Sequence, residues 1–92
     1  MTDSDHPKAQ DALTLLRQAR LMPAKQAASV LHPLIATMQN HGDRSVEVET
    51  FQANAWLAIC TLVESLEKHG GATDDRWERA ISNVERWENV LI

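Results

Sequence analysis

The stretch SVEVETFQANAWLAICTLVESLEKH, residues 45–69, decides the fold. It opens on a two-residue alternation, Val46-Glu47-Val48-Glu49, which alone suits a half-buried strand. The alternation then stops. Phe51, Ala55, Ile59, Leu62 and Leu66 continue from Val48 at the period of one helix face. No Gly or Pro interrupts the stretch. It is therefore read as one helix over 45–69, capped by Asp43 or Ser45. Val63 joins the main stripe, and Ala53, Trp56, Leu57 and Cys60 carry apolar surface further around the cylinder. Thr50, Asn54, Thr61, Ser65 and Lys68 keep only a narrow polar arc. A helix that is apolar over most of its girth is central, or it meets a second partner.

Working outward, glycines bound this helix on both sides: Gly42 before it, Gly70-Gly71 after it. Beyond Gly71, Thr73 is a cap and Asp74 and Asp75 complement an N-terminal dipole. The spacing predicts a helix over 74–90 with Trp77, Ala80, Ile81, Val84, Trp87 and Leu91 on its buried face. Glu78 and Glu85 flank one edge of it; Arg76, Arg79 and Arg86 flank the other. On the N-terminal side, Ala24, Ala27, Val30, Leu31, Leu34, Ile35 and Met38 share a face. The spacing gives a helix over 23–41 that ends at Gly42. That stripe keeps its phase across Pro33, so Pro33 is read as a kink projecting to the polar side. Before it, Met22-Pro23 forces a turn, because a residue preceding Pro avoids helical angles. A first helix is expected over 7–21, capped by Ser4 or Asp5. Its face is Ala9, Ala12, Leu15, Leu16 and Ala19, with Leu13 at the margin. Residues 1–6 read as a flexible N-terminus.

The chain has no Tyr and one Phe, and no sustained alternation, so strands have little support. Short loops favour antiparallel neighbours. The expected architecture is an all-α, four-helix bundle-like single domain over 1–92, with the last two helices forming a long hairpin.

Composition bounds the function. A chain of 92 residues is one domain by length. Leu, Ile, Val and Phe make up 21 of the 92, so the core is small and pairing of two copies would add to it. A homodimer is therefore expected. The net charge is −4, whereas nucleic-acid binders carry a basic patch for phosphate; no nucleic-acid partner is expected. Charge is unevenly divided: residues 1–44 hold five Lys/Arg against four Asp, and residues 45–92 hold four Lys/Arg against nine Asp/Glu. The single cysteine, Cys60, forms no disulfide within the chain and suits a reducing compartment. The polar, acidic start Met1-Thr2-Asp3-Ser4-Asp5 is unlike a secretory leader. No run approaches 18 apolar residues, so no membrane partner is expected and cytoplasmic residence is the default.

Side chains that carry chemistry are scattered. His6, His32, His41 and His69 are never spaced as metal ligands on one helix. His41 and His69 fall in last helical turns, where an imidazolium suits the dipole. Cys60 sits mid-helix between Ile59 and Leu62, where apolar surroundings make a thiol inert; it reads as core or interface packing. Gly70-Gly71 lacks the Lys and the preceding strand of a phosphate-binding loop. The last two helices could be imagined as a helix-turn-helix. The second, however, opens with Asp74-Asp75, and Arg76, Arg79 and Arg86 are offset by Glu78, Glu85 and Glu88. No catalytic residue, cofactor or metal site is expected.

The tryptophans are the best clue. Trp56, Trp77 and Trp87 are three of the four aromatics. Either all three fill the bundle, or some reach a partner, where Trp is enriched. Glu88 falls within the stripe of helix 4, either frayed into water or at an interface rim. Ala53, Leu57 and Cys60 lie on the flank of the third helix away from its main stripe. The expected partner-binding set is thus Ala53, Trp56, Leu57, Cys60, Trp77, Arg86, Trp87 and Glu88. The expected function is that of a non-enzymatic regulatory or adaptor protein acting by protein–protein binding. By analogy of size and charge, the expected role is an anti-activator of a bacterial transcription regulator. The alternatives are a small helical metal-binding protein or enzyme, drawing on Glu64, Glu67, Glu88, His41 and His69, and a DNA-associated protein.

Overall fold

The structure, a computed structural model, describes residues 9–39 and 46–91, the side chains of Gln39 and Leu91 excepted. It is all-α, with α1 (Ala9–Ala19), α2 (Ala24–Gln39), α3 (Val46–His69) and α4 (Asp74–Leu91). The expected caps Ser4, Asp5, Asp43 and Ser45, the N-terminal 1–6, and the stop at His41-Gly42 lie outside the described residues.

Local chemistry sets the ends. The α1 chain tightens after Ala19: Leu21 N–H donates to Gln18 O at 3.1 Å and Met22 N–H to Ala19 O at 3.0 Å. These three-residue bonds satisfy the last carbonyls, so the helix stops two residues short of Leu21. Pro23 stands before α2 and not within it; its carbonyl accepts the first helical bond, from Ala27 N–H, at 2.8 Å. α2 runs on through Pro33. The Pro33 ring is exposed, and Thr37 Oγ1 donates to its carbonyl at 2.9 Å. α3 ends on Gly70, whose φ of +72° is the left-handed conformation of a C′ residue. A Cβ there would meet nothing, so backbone preference alone calls for glycine. Thr73 caps α4 as expected: its Oγ1 accepts from Arg76 N–H at 3.3 Å.

The helices form a closed ring. α1 packs on α2, α2 on α3, α3 on α4, and α4 returns to α1, while the backbones of the diagonal pairs stay apart. Cross-links run in opposite chain directions. Arg17 meets Glu85 while Arg20 meets Glu78 and Asp74; His32 meets Glu67 while Gln52 meets Met38. The neighbours are therefore antiparallel, in up-down-up-down order. At about 1.5 Å per residue, the 24 residues of α3 match the 36 Å long dimension.

The core is built from Leu16 of α1, Leu31 and Met38 of α2, Ala55, Ile59 and Leu62 of α3, and Ala80, Val84 and Trp87 of α4. On α1 the face is rotated slightly from expectation: Leu13 is buried and Leu15 only half-buried. Two polar side chains go inside with it. Ser65, expected in the polar arc, is buried because its Oγ donates to Gly71 O at 2.9 Å, tying the end of α3 to the following turn. Gln52 is buried because its Nε2 donates to Met38 O at 2.7 Å, filling a carbonyl near the end of α2.

Candidate functional site

Arginines and carboxylates separate on α4. Its positions 77, 80, 84 and 87 point inward, so the helix has two lateral edges. On the edge facing α1, Glu85 pairs with Arg17 at 3.3 Å, Glu78 with Arg20 at 3.3 Å, and Asp74 with Arg20 at 3.2 Å. On the other edge, Arg76, Arg79, Asn83 and Arg86 follow one another at helical spacing. The two edges are those expected from the spacing, and Glu78 and Glu85 are taken up by Arg20 and Arg17. Among the described residues, neither Arg79 nor Arg86 has a carboxylate within ion-pair distance. Arg76 is also unpaired at that distance, though its charge helps hold the Glu64 carboxyl below the usual range. The larger cause of that depression is Lys68, whose Nζ donates to Glu64 Oε2 at 2.9 Å.

This cationic edge borders the outer face of α3. A cleft of about 430 Å³ lies between them, lined by Asn54, Leu57, Ala58 and Thr61 of α3 and by Thr73, Asp75, Arg76, Arg79 and Asn83. Leu57 is 58% exposed. Ala53 is exposed and Cys60 half-buried on the same flank. Four helices in a ring cover only the inward half of α3, so its surplus apolar girth stays in solvent. Leu57 is the large apolar side chain at this site that the protein itself does not hide.

The expected partner-binding residues thus divide. Ala53, Leu57 and Cys60 fall on one outer flank, and Arg86 continues the arginine edge beside it. Trp56 is half-buried, with its Nε1 atom enclosed and unbonded among the described residues. Glu88 is half-buried. Trp77 and Trp87 are corrected: at 6% and 0% exposure they belong to the core and offer nothing to a partner. α4 is wedged between α1 and α3, and its tryptophans fill that wedge. Trp87 Nε1 is enclosed with no acceptor among the described residues, and the buried area of a whole indole holds the ring in place.

Arg76, Arg79, Asn83, Asn54, Ala58 and Thr61 were not expected at the site. The spacing of the arginines on one edge was legible in the sequence; which surface that edge faces was not. Another interhelical cleft, between α2 and α3, is bounded by Ala24, Ala28, Ser29 and Leu66. It is spanned by His32 Nε2 and Glu67 Oε2 at 2.6 Å, two residues too far apart in sequence to be paired on paper.

Reactive groups do not converge. Burial pushes the Cys60 thiol up from its ordinary value, which leaves it protonated and a poor nucleophile near neutral pH. Among the described residues no three His, Cys, Asp or Glu side chains are grouped to hold a metal ion. No described helix is long and apolar enough to cross a membrane. No family model, no curated protein and no solved structure matches the chain.

Proposed function

We propose that this protein is a non-enzymatic docking module that binds a helical segment of another protein on the outer α3–α4 face. The observation that carries this is the exposed Leu57, set in a cleft beside an arginine edge without carboxylate partners. An apolar anchor flanked by polar and charged groups is the make-up of a helix-in-groove site. The central anchor supplies affinity and the rim charges set orientation and encounter rate. Ala53 and Cys60 carry apolar surface from Leu57 around α3 on the side away from the cleft, and Arg86 extends the rim. A role as a cytoplasmic adaptor, or as an antagonist of a bacterial transcription regulator, fits a small acidic chain of this kind and is carried by size and charge alone.

The test is site-specific photo-crosslinking in the source cell. A benzophenone side chain placed at position 57 is expected to give a discrete protein adduct. The same group at Lys25, exposed on α2, is expected to give none. Equal adducts at both positions, or none at position 57, would remove the docking reading.

A further inference from the structure

The cleft is cationic on an acidic chain. The whole molecule carries −4, yet the cleft is lined by Arg76 and Arg79 against Asp75. Arg86 follows one heptad beyond Arg79 on the same edge. Glu64, whose carboxyl feels the charge of Arg76, is already engaged by Lys68. Three guanidinium groups therefore share one helix edge, about 15 Å long, with a single carboxylate, Asp75, while Glu47 and Glu64 stand on the α3 edge across from it. Beside them lie the exposed Leu57 and the half-buried Ala58. Guanidinium groups pair best with carboxylates in planar, bidentate geometry.

We infer that the occupant is an amphipathic helix from another protein, with carboxylates along one edge and a large aliphatic residue on the adjoining edge. This inference rests on the docking reading above. The aliphatic residue packs against Leu57 and Ala58. Acidic side chains at intervals matching Arg76, Arg79 and Arg86 meet those arginines in turn. Asn54, Thr61 and Asn83 supply polar rim contacts between them.

A second copy of this chain is a poorer match. On the α4-facing edge of its own α3, the exposed carboxylates are Glu47 and Glu64, and Glu64 is taken by Lys68. It would bring a further set of three arginines to the same cleft. Nucleic acid is poorer still, because a phosphate backbone has no aliphatic residue to set against the exposed Leu57.

The test uses the full chain, 15N-labelled, titrated with two helical peptides of about 17 residues on an alanine host. Both carry Leu at two positions one turn apart; one carries Glu on the adjoining edge and the other Lys. Binding of the Glu peptide is expected, with amide shifts confined to residues 54–61 and 76–83. Its affinity should fall at least about tenfold in Arg79→Glu and again in Leu57→Asp. It should also weaken steeply between about 0.05 and 0.5 M salt. Both substitutions are of exposed side chains, and circular dichroism confirms that the variants fold. Equal binding of the Lys peptide, no binding of either peptide, or shifts on α1 and α2 would overturn the inference.

Two further outcomes would also overturn it. One is self-association by sedimentation that is abolished in Leu57→Asp. The other is duplex DNA binding that is abolished in Arg79→Glu. If position 57 still crosslinks to a protein while the Glu peptide fails, the docking reading stands and the acidic-helix inference falls. If both fail, both fall.

Discussion

The two edges of α4 carry opposite charge and have opposite fates. The edge facing α1 presents Asp74, Glu78 and Glu85, and each has an arginine from α1 or from the turn that follows it within 3.3 Å. The edge bordering the outer face of α3 presents Arg76, Arg79 and Arg86. There α3 answers with Leu57, Ala58, Asn54 and Thr61, and with no free carboxylate in the cleft. One edge is completed within the fold; on the other, the arginines have no carboxylate within ion-pair distance among the described residues. Both edges are solvated, so the difference lies in charge matching and not in burial. A structural seam and the proposed interaction surface thus sit on opposite edges of one helix.

The comparison can be broken most forcefully from the middle. Trp87 sits between the two edges and is fully buried. Trp87→Ala is expected to cost about 3–5 kcal/mol, a large part of the about 5–15 kcal/mol typical of a whole domain. Urea denaturation measures it, and a loss below about 1 kcal/mol would show that the tryptophan is not the wedge described. Gly70→Ala tests whether the α3–α4 hairpin that places the arginines depends on backbone conformation. With φ at +72° and nothing for a methyl to strike, the expected loss is about 1–2 kcal/mol. An unchanged melting temperature would contradict it.

Smaller effects sharpen the contrast between the edges. Arg20→Ala removes both of its pairs with α4 and should cost up to about 1 kcal/mol, less at high salt. Arg79→Ala breaks no pair and should fall within about 0.5 kcal/mol of zero. If thermal melts ranked these two the other way, the division of α4 would be wrong.

The smallest effect is pH-dependent. The Glu64 carboxyl is lowered chiefly by Lys68, and the Lys68 ammonium is raised by Glu64. Stabilisation from Glu64 is therefore present above its unfolded value and lost as pH falls through the folded one. Stabilisation from Lys68 is present below its unfolded value and lost as pH rises through the folded one. Any advantage of the wild type over Glu64→Gln should be greatest near neutral pH and fade in acid and in strong base. An advantage that grows in acid would reverse the sign.

Helices were legible because their signals are local. The intervals from Val48 to Leu66, the stop at Gly70 and the cap at Thr73 act within a few residues of themselves. The outer flank of α3, with Ala53, Leu57 and Cys60, was legible for the same reason: a face off the main stripe can be read from phase. The tryptophans were less so. Periodicity put Trp77 and Trp87 on the buried stripe, but residue type alone also fitted a partner surface, and only the packing of α4 between α1 and α3 chose the core. Gln52 was missed because its partner, the Met38 carbonyl, belongs to another helix.

The amino-acid sequence alone determined four helices, their buried stripes and the excess of apolar surface on the third, because helical period, capping and glycine stops are properties of neighbours along the chain. Tertiary structure decided which edge of α4 met the arginines of α1, which edge was left beside Leu57, and which tryptophans were enclosed. Those outcomes depend on which helix faces which across the ring, and charge pairing between helices acts through space, over distances that sequence spacing does not encode.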